Sequence, residues 1–93
     1  MHNEDVEAEF DPVKARSNLR KHGVSFAHAE QALRDQMAFT TEDPDAIDEQ
    51  RFITLGMDAL ARVLVVVHTQ RGERTRLISA RKASSGESER YHA

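Results

Sequence analysis

Ninety-three residues make one domain with one modest core. The absence of cysteine excludes a disulfide framework and a thiolate zinc site and fits a reducing cytoplasm, and no stretch has the build of a signal peptide or a membrane span. The formal charge of −3 excludes a uniformly basic nucleic-acid binder, yet residues 1–61 hold 6 Lys/Arg against 13 Asp/Glu, a net of −7, while residues 62–93 hold 7 against 3, a net of +4.

Residues 1–9 are polar and acidic and read as a loose tail ahead of a domain over 10–93. Alternation at Val6, Ala8 and Phe10 leaves room for a short edge strand before Asp11. Asp11-Pro12 puts an N-cap residue before a proline at the first helical position and predicts a helix from Pro12 to His22, with Gly23 as its left-handed end. Lys21 and His22 fall in the last turn, where the helix dipole favours positive charge. Ser25 caps a second helix, on which Phe26, Ala29 and Leu33 form a narrow apolar stripe. Met37 to Thr41 reads as a strand, Glu42 to Gln50 as an acidic loop around Asp43-Pro44-Asp45, and Arg51 to Gly56 as a second strand.

Val63 to Val67 is the one uninterrupted apolar run, of a length suited to a central strand buried on both faces. Gln70 to Glu73 supplies a glycine-containing hairpin loop, and Thr75 to Arg81 the partner strand. A four-residue loop pairs His68 with Thr75, Val66 with Leu77, Leu64 with Ser79 and Arg62 with Arg81. Val63, Val65, Val67, Ile78 and Ala80 then form the core face, and Arg62, Leu64, Val66, His68, Leu77 and Arg81 share the opposite, half-cationic face. Ser84-Ser85-Gly86-Glu87 has the form of a capping box opening a last helix that ends near His92. The layout is α+β: two N-terminal helices, a four-stranded antiparallel sheet and a short C-terminal helix.

Five blocks carry a resemblance to a known family: F-D-P-V-K-A-R-S-N-L-R-K-H-G-V-S-F from Phe10, E-Q-R-F-I-T-L-G from Glu49, R-V-L-V-V-V-H-T from Arg62, R-L-I-S-A-R-K-A from Arg76, and E-R-Y at Glu89 to Tyr91. In order and spacing the chain resembles the BrnT toxins of bacterial type II toxin–antitoxin systems. It departs from them at Phe10, where the family usually has tryptophan, and in the Ser84-Ser85-Gly86 opening of the last helix, which is more basic and free of glycine in the family. The resemblance implies a RelE-like fold, ribonuclease activity, and neutralisation by a BrnA ribbon-helix-helix antitoxin within a hetero-oligomer. It places operator DNA contact on the antitoxin.

Metal-independent RNA cleavage needs a base near the 2′-hydroxyl, an acid near the departing 5′-oxygen, and cations over the phosphate. His68 is the proton-transfer candidate on the half-cationic face. Arg62, Arg76 and Arg81 are the candidate phosphate-stabilising cations, because a guanidinium grips a phosphate through two parallel hydrogen bonds. Lys82, Tyr91, Lys21 and His22 are candidate RNA-binding residues, Tyr91 by stacking a base. Each has a plainer reading. His68 can be a satisfied strand residue, Arg81 and Lys82 can pair with Glu87 and Glu89, Lys21 and His22 can serve the helix dipole, and Tyr91 can anchor the last helix. The five histidines, at positions 2, 22, 28, 68 and 92, have no metal-ligand spacing, and no glycine loop is built for a phosphate cofactor, so neither metal nor cofactor is expected. A decayed toxin kept as an antitoxin-binding co-repressor, and a toxin acting on a protein such as a topoisomerase, are the rival functions.

Overall fold

The computed structural model describes residues 8–93, so the expected tail over residues 1–7 lies outside it. Asp11 begins the first helix as read: its carboxylate accepts from the Val13 N–H at 2.9 Å, and α1 runs Pro12–His22 to a Gly23 whose N–H returns to the Leu19 carbonyl. The Ser25 hydroxyl caps α2 (Phe26–Arg34) by accepting from the His28 N–H. Four strands follow, β2 (Phe39–Glu42), β3 (Phe52–Met57), β4 (Val63–Arg71) and β5 (Arg74–Lys82), and then α3 (Ser85–His92) opens on the expected Ser84/Glu87 capping box. The serine-glycine opening therefore does not prevent this helix from forming.

The sheet has five strands, not four, and is mixed. Ala8–Glu9, counted with the tail but at the place where alternation left room for a short edge strand, forms β1 and pairs in parallel with Thr75 and Arg76, giving the order β1-β5-β4-β3-β2. Those two residues supply backbone partners to an otherwise bare edge. Further along that edge the job passes to a side chain. The buried Asn18 amide of α1 accepts from the Ala80 N–H and donates to the Ala80 and Val24 carbonyls, at 3.0, 2.8 and 3.0 Å. One side chain thus acts as a piece of strand and ties helix to sheet.

The β4–β5 hairpin differs from the four-residue loop in two ways. Its loop is the pair Gly72-Glu73, with Gly72 at φ +60 in the first central position, where a tight hairpin turn requires it. Arg71 therefore pairs with Arg74 and His68 with Leu77. The register then slips: Val67 pairs with Ser79, leaving Ile78 as an unpaired bulge residue. Shortening the loop by two moves the partners without exchanging faces, whereas the bulge turns the rest of β5 over.

The expected core face is reversed on β4 and at Leu77, whereas Ala80, carried over by the bulge, enters the main core as expected. Leu64, Val66, Leu77 and Ala80 lie under α2 with Val24, Phe26, Ala29, Ala32 and Leu33 as the main core. Val63 and Val65 look the other way, into a smaller cluster with Leu55 and Tyr91. β4 is buried on both faces, as its apolar run predicts.

Where α2 crosses β3 the approach is very close. A Cβ placed on Gly56 would lie 2.1 Å from the Ala32 carbonyl oxygen, which is helix backbone and has no easy retreat. Gly56→Ala is expected to destabilise the protein by at least about 1–3 kcal/mol, the range for overpacking. Urea unfolding of the two proteins checks this, and equal midpoints would mean that the helix moves away at no cost.

Candidate functional site

Strand alternation and the hairpin register distribute the sequence candidates over two sides of the sheet. Arg62 and His68 share the side of β4 that bears Leu64 and Val66 and carries α1 and α2. Arg81 pairs with Val65 and meets α3 on the opposite side. Arg62, His68 and Arg81 do not share one floor, because the bulge at Ile78 lies between the tip and the end of β5.

Arg62 is committed to the fold. Its guanidinium donates to the Asp58 carboxylate at 2.8 and 2.9 Å, to His28 Nδ1 at 2.9 Å and to the Gly23 carbonyl at 3.5 Å. Asp58, with a fully buried side chain, also accepts the Leu60 and Arg62 N–H groups. Burial alone would raise its pKa, but the Arg62 N–H and guanidinium outweigh that and hold it below the usual carboxylate value. The β3–β4 turn, with Ala61 at φ +61, is thereby stitched to the α1–α2 connection.

His68 is also internal. Its Nε2 shares a 2.7 Å hydrogen bond with the Thr54 hydroxyl, which shares another of 2.7 Å with Thr40. Phe52 stacks on the ring at 5.9 Å, and Nδ1 is buried without a hydrogen-bond partner among the described residues. Burial pushes the imidazole down to about 4, so it is neutral at neutral pH. Arg76 lies 3.7 Å from Glu9 on β1, beside an Arg74 contact with the same carboxylate.

The α3 side gathers a different set. Arg81 donates from Nη1 and Nη2 to the two Glu87 oxygens, each at 2.8 Å, while Glu87 also accepts the Ser84 N–H. The Arg81 guanidinium, helped by the Ser84 contacts, holds Glu87 down to about 2, and Glu87 in turn raises Arg81. Glu87 and Arg90 line a groove of about 140 Å³ floored by Phe39, Thr41, Ile53 and Leu55, and the Arg90 guanidinium sits 5.9 Å from the Phe39 ring centre. Tyr91 anchors the helix. It packs on the Val63/Val65 cluster and donates its hydroxyl to Asp35, which also accepts the Met37 and Met57 N–H groups. Burial, and then Asp35, push Tyr91 up to about 12. Burial would raise Asp35 too, but Tyr91 and the two N–H donors keep it low.

Lys21 and His22 line a second groove, of about 230 Å³, with Lys14, Ser17, Asn18, Ile78 and Ser79 between α1 and β5. Lys82 is exposed at the end of β5 and makes no ion pair among the described residues. Sequence reasoning passed over Asn18, Asp35, Asp58 and Arg90. Arg62 follows Asp58 by four residues, which was a visible pairing signal, whereas the Asp35–Tyr91 contact spans 56 positions and had none.

The His68 environment sets a pH dependence. Its folded value, about 4, lies below the ordinary 6.5, so between these limits the unfolded chain binds a proton that the folded chain refuses. Stability from this group is full above pH 6.5 and falls towards pH 4, by an amount on the order of 2–3 kcal/mol. Urea unfolding across that range should show the slope in the wild type and lose it in His68→Asn; a slope that survives the substitution belongs to another group.

Three comparisons bear on identity. The family described as "Ribonuclease toxin, BrnT, of type II toxin-antitoxin system" matches residues 10–87. No curated protein matches. Among solved structures, the crystal structure of the Brucella abortus ribonuclease toxin BrnT is similar at a TM-score of 0.63 and 26% identity, over 86% of this chain and 99% of that one. The matched span runs from Phe10, on the approach to α1, to Glu87 in the α3 capping box, and so takes in both helices of the main core, the last four strands and the Arg81–Glu87 pair. The chain belongs to the BrnT family of ribonuclease toxins of type II toxin–antitoxin systems.

Proposed function

We propose that this chain is an endoribonuclease that cleaves RNA by metal-independent transesterification in the groove between α3 and the sheet. The observation that carries this reading is the way Arg81 is held. Its Nη1–Nη2 edge is taken by Glu87, while no hydrogen bond uses its Nε–H among the described residues. The Nε–Nη2 edge is therefore a second parallel pair of donors, preoriented by the carboxylate and matched to two phosphate oxygens.

In this reading Arg81 grips the scissile phosphate and Arg90 adds positive charge across the groove. Glu87, ionised throughout the working pH range, takes the 2′-hydroxyl proton. A phosphate arriving on Arg81 offsets part of the guanidinium field and so raises the carboxylate's affinity for that proton. The 2′-oxygen attacks the adjacent phosphorus, the bond to the 5′-oxygen breaks, and that oxygen leaves with a proton from solvent. The products are a 2′,3′-cyclic phosphate and a 5′-hydroxyl. His68, neutral and internal on the other side of the sheet, takes no part in this scheme, and Arg62, Arg76 and Tyr91 contribute through the fold.

Membership in a type II system implies an antitoxin partner. A BrnA-like ribbon-helix-helix protein, with operator DNA reached only through it, is the form proposed here. The described surface offered here to a protein partner is apolar: Phe10 and Leu19, 42 and 51% exposed, line a shallow pocket with Ala15, Arg16 and Phe26.

The test is cleavage of a labelled RNA by the purified chain in excess EDTA, with the product ends identified. Cyclic-phosphate ends are expected, with the rate reduced by about 10²-fold or more in Arg81→Ala and Glu87→Gln and circular dichroism showing α3 intact. An Arg81→Ala protein that cuts at the wild-type rate moves the site elsewhere. Loss of cutting in EDTA removes the metal-independent mechanism. A chain that cuts neither free RNA nor RNA on translating ribosomes is better read as an antitoxin-binding co-repressor.

A further inference from the structure

α1 is basic and without a carboxylate. From Pro12 to His22 it carries Lys14, Arg16, Arg20 and Lys21 and no acidic residue. Lys14, Ser17, Asn18 and Lys21 follow the spacing i, i+3, i+4, i+7 and so form one stripe along the helix. On a helix packed against a sheet such a stripe is ordinarily apolar. Here only Asn18 is buried, on the Ala80 backbone, while the lysines above and below it open into the α1–β5 groove with His22 and the hydroxyl residues Ser17 and Ser79. Neither lysine has an ion-pair partner among the described residues, in contrast to Arg62, Arg74, Arg76 and Arg81, each of which meets a carboxylate. The stripe spans about 10 Å of helix, enough for more than one phosphate.

The edge of β5 connects this groove to the α3 side. β1 covers that edge only at Thr75 and Arg76, and Asn18 covers it at Ala80. Ser79 lines the α1 groove and Arg81 lies two residues on, about 7 Å along the strand. From these placements we infer that the α1–β5 groove binds the sugar-phosphate backbone of a single-stranded RNA, which then crosses the β5 edge to reach Arg81. This inference rests on the ribonuclease reading and adds a second anchoring site to it. Lys14 and Lys21 would hold phosphates as point charges with His22 beside them, and Lys82, exposed where the strand crosses, extends the track. Contacts of this kind give affinity that is insensitive to base sequence and falls with salt.

The experiment uses a fluorescent, 2′-O-methylated, non-cleavable single-stranded oligonucleotide and the full chain, with Kd followed by anisotropy against salt concentration. Lys14→Ala/Lys21→Ala should weaken binding at least about tenfold at low salt and reduce the salt slope of log Kd by about 1.4, two phosphates at 0.7 each. Arg71→Ala/Arg74→Ala, which removes the same charge at the hairpin tip, should leave the affinity close to wild type. If the lysine variant keeps the wild-type Kd and salt slope, or if both double variants lose affinity equally, the groove is not the RNA site. A lysine variant that binds RNA normally but escapes its antitoxin would assign the groove to a protein and equally overturn the inference. Because this oligonucleotide cannot be cut, the groove is tested whatever the cleavage assay shows. Cutting of the unmodified oligonucleotide by the wild type tests the ribonuclease reading separately.

Discussion

The geometry of the surface between β5 and α3 depends on one backbone irregularity. Ile78, left unpaired between Leu77 and Ser79, turns the second half of β5 over relative to the first. Leu77 on one side of the bulge and Ala80 on the other can both enter the main core, although they are three apart and a regular strand would send them to opposite faces. Arg81 is thereby directed to the α3 side, where Glu87 meets it. A straight β5 would have left Ala80 out of the core and brought Arg81 to the face crowded by α1 and α2. The bulge therefore provides both the packing of β5 under a helix and the exposure of a guanidinium on the sheet's more open side.

The distribution of charge follows from which cations the fold consumes. Arg62 is bound up with the buried Asp58, and Arg74 and Arg76 share Glu9. A basic count over residues 62–93 thus overstates what that region offers to a ligand. The reverse holds for α1. Its four Lys/Arg lie in the span 1–61 with a net of −7, because the acidic residues of the N-terminus and of the β2–β3 loop fall in the same count. Partition by sequence hid a basic helix that partition by surface reveals.

What could be read in the sequence was what is decided locally. The three helix caps at Asp11, Ser25 and Ser84 lie within a turn of what they cap, and the apolar run of β4 needed only its length and its neighbours. The hairpin register was less accessible: Gly72 announces a turn, but two-residue and four-residue loops fit the same tetrapeptide, and nothing in R-L-I-S-A marks Ile78 as the bulge. The placing of Arg81 failed with it, since one inserted residue exchanges the sides of everything beyond it on β5, while a β4 run apolar on both faces did not say which face the helices would cover. Asn18 was illegible for another reason. Its partner is a backbone 62 residues away, and its fit depends on an edge strand too short to cover β5. The Thr54 contact of His68 and the Asp35 contact of Tyr91 come from distant strands and helices, which the residue types alone do not disclose.

Glu87, the base of the proposed scheme, also serves the fold, which constrains how this surface can vary. The same carboxylate accepts from the Ser84 N–H, completing the cap of α3, and from both terminal nitrogens of Arg81. α3 cannot move off the sheet without releasing the Arg81 fork, and Tyr91, fastened to Asp35 near the other end of the helix, resists that movement. Asp35 receives donors from its own loop and from the end of β3, so the anchoring reaches back to the α2 terminus and through it to the tight crossing at Gly56. The groove beside α3 is held from both ends of an eight-residue helix that makes little apolar core of its own. Such a helix keeps its place through polar contacts at its two ends, and the contact at its start is also the one that orients the guanidinium.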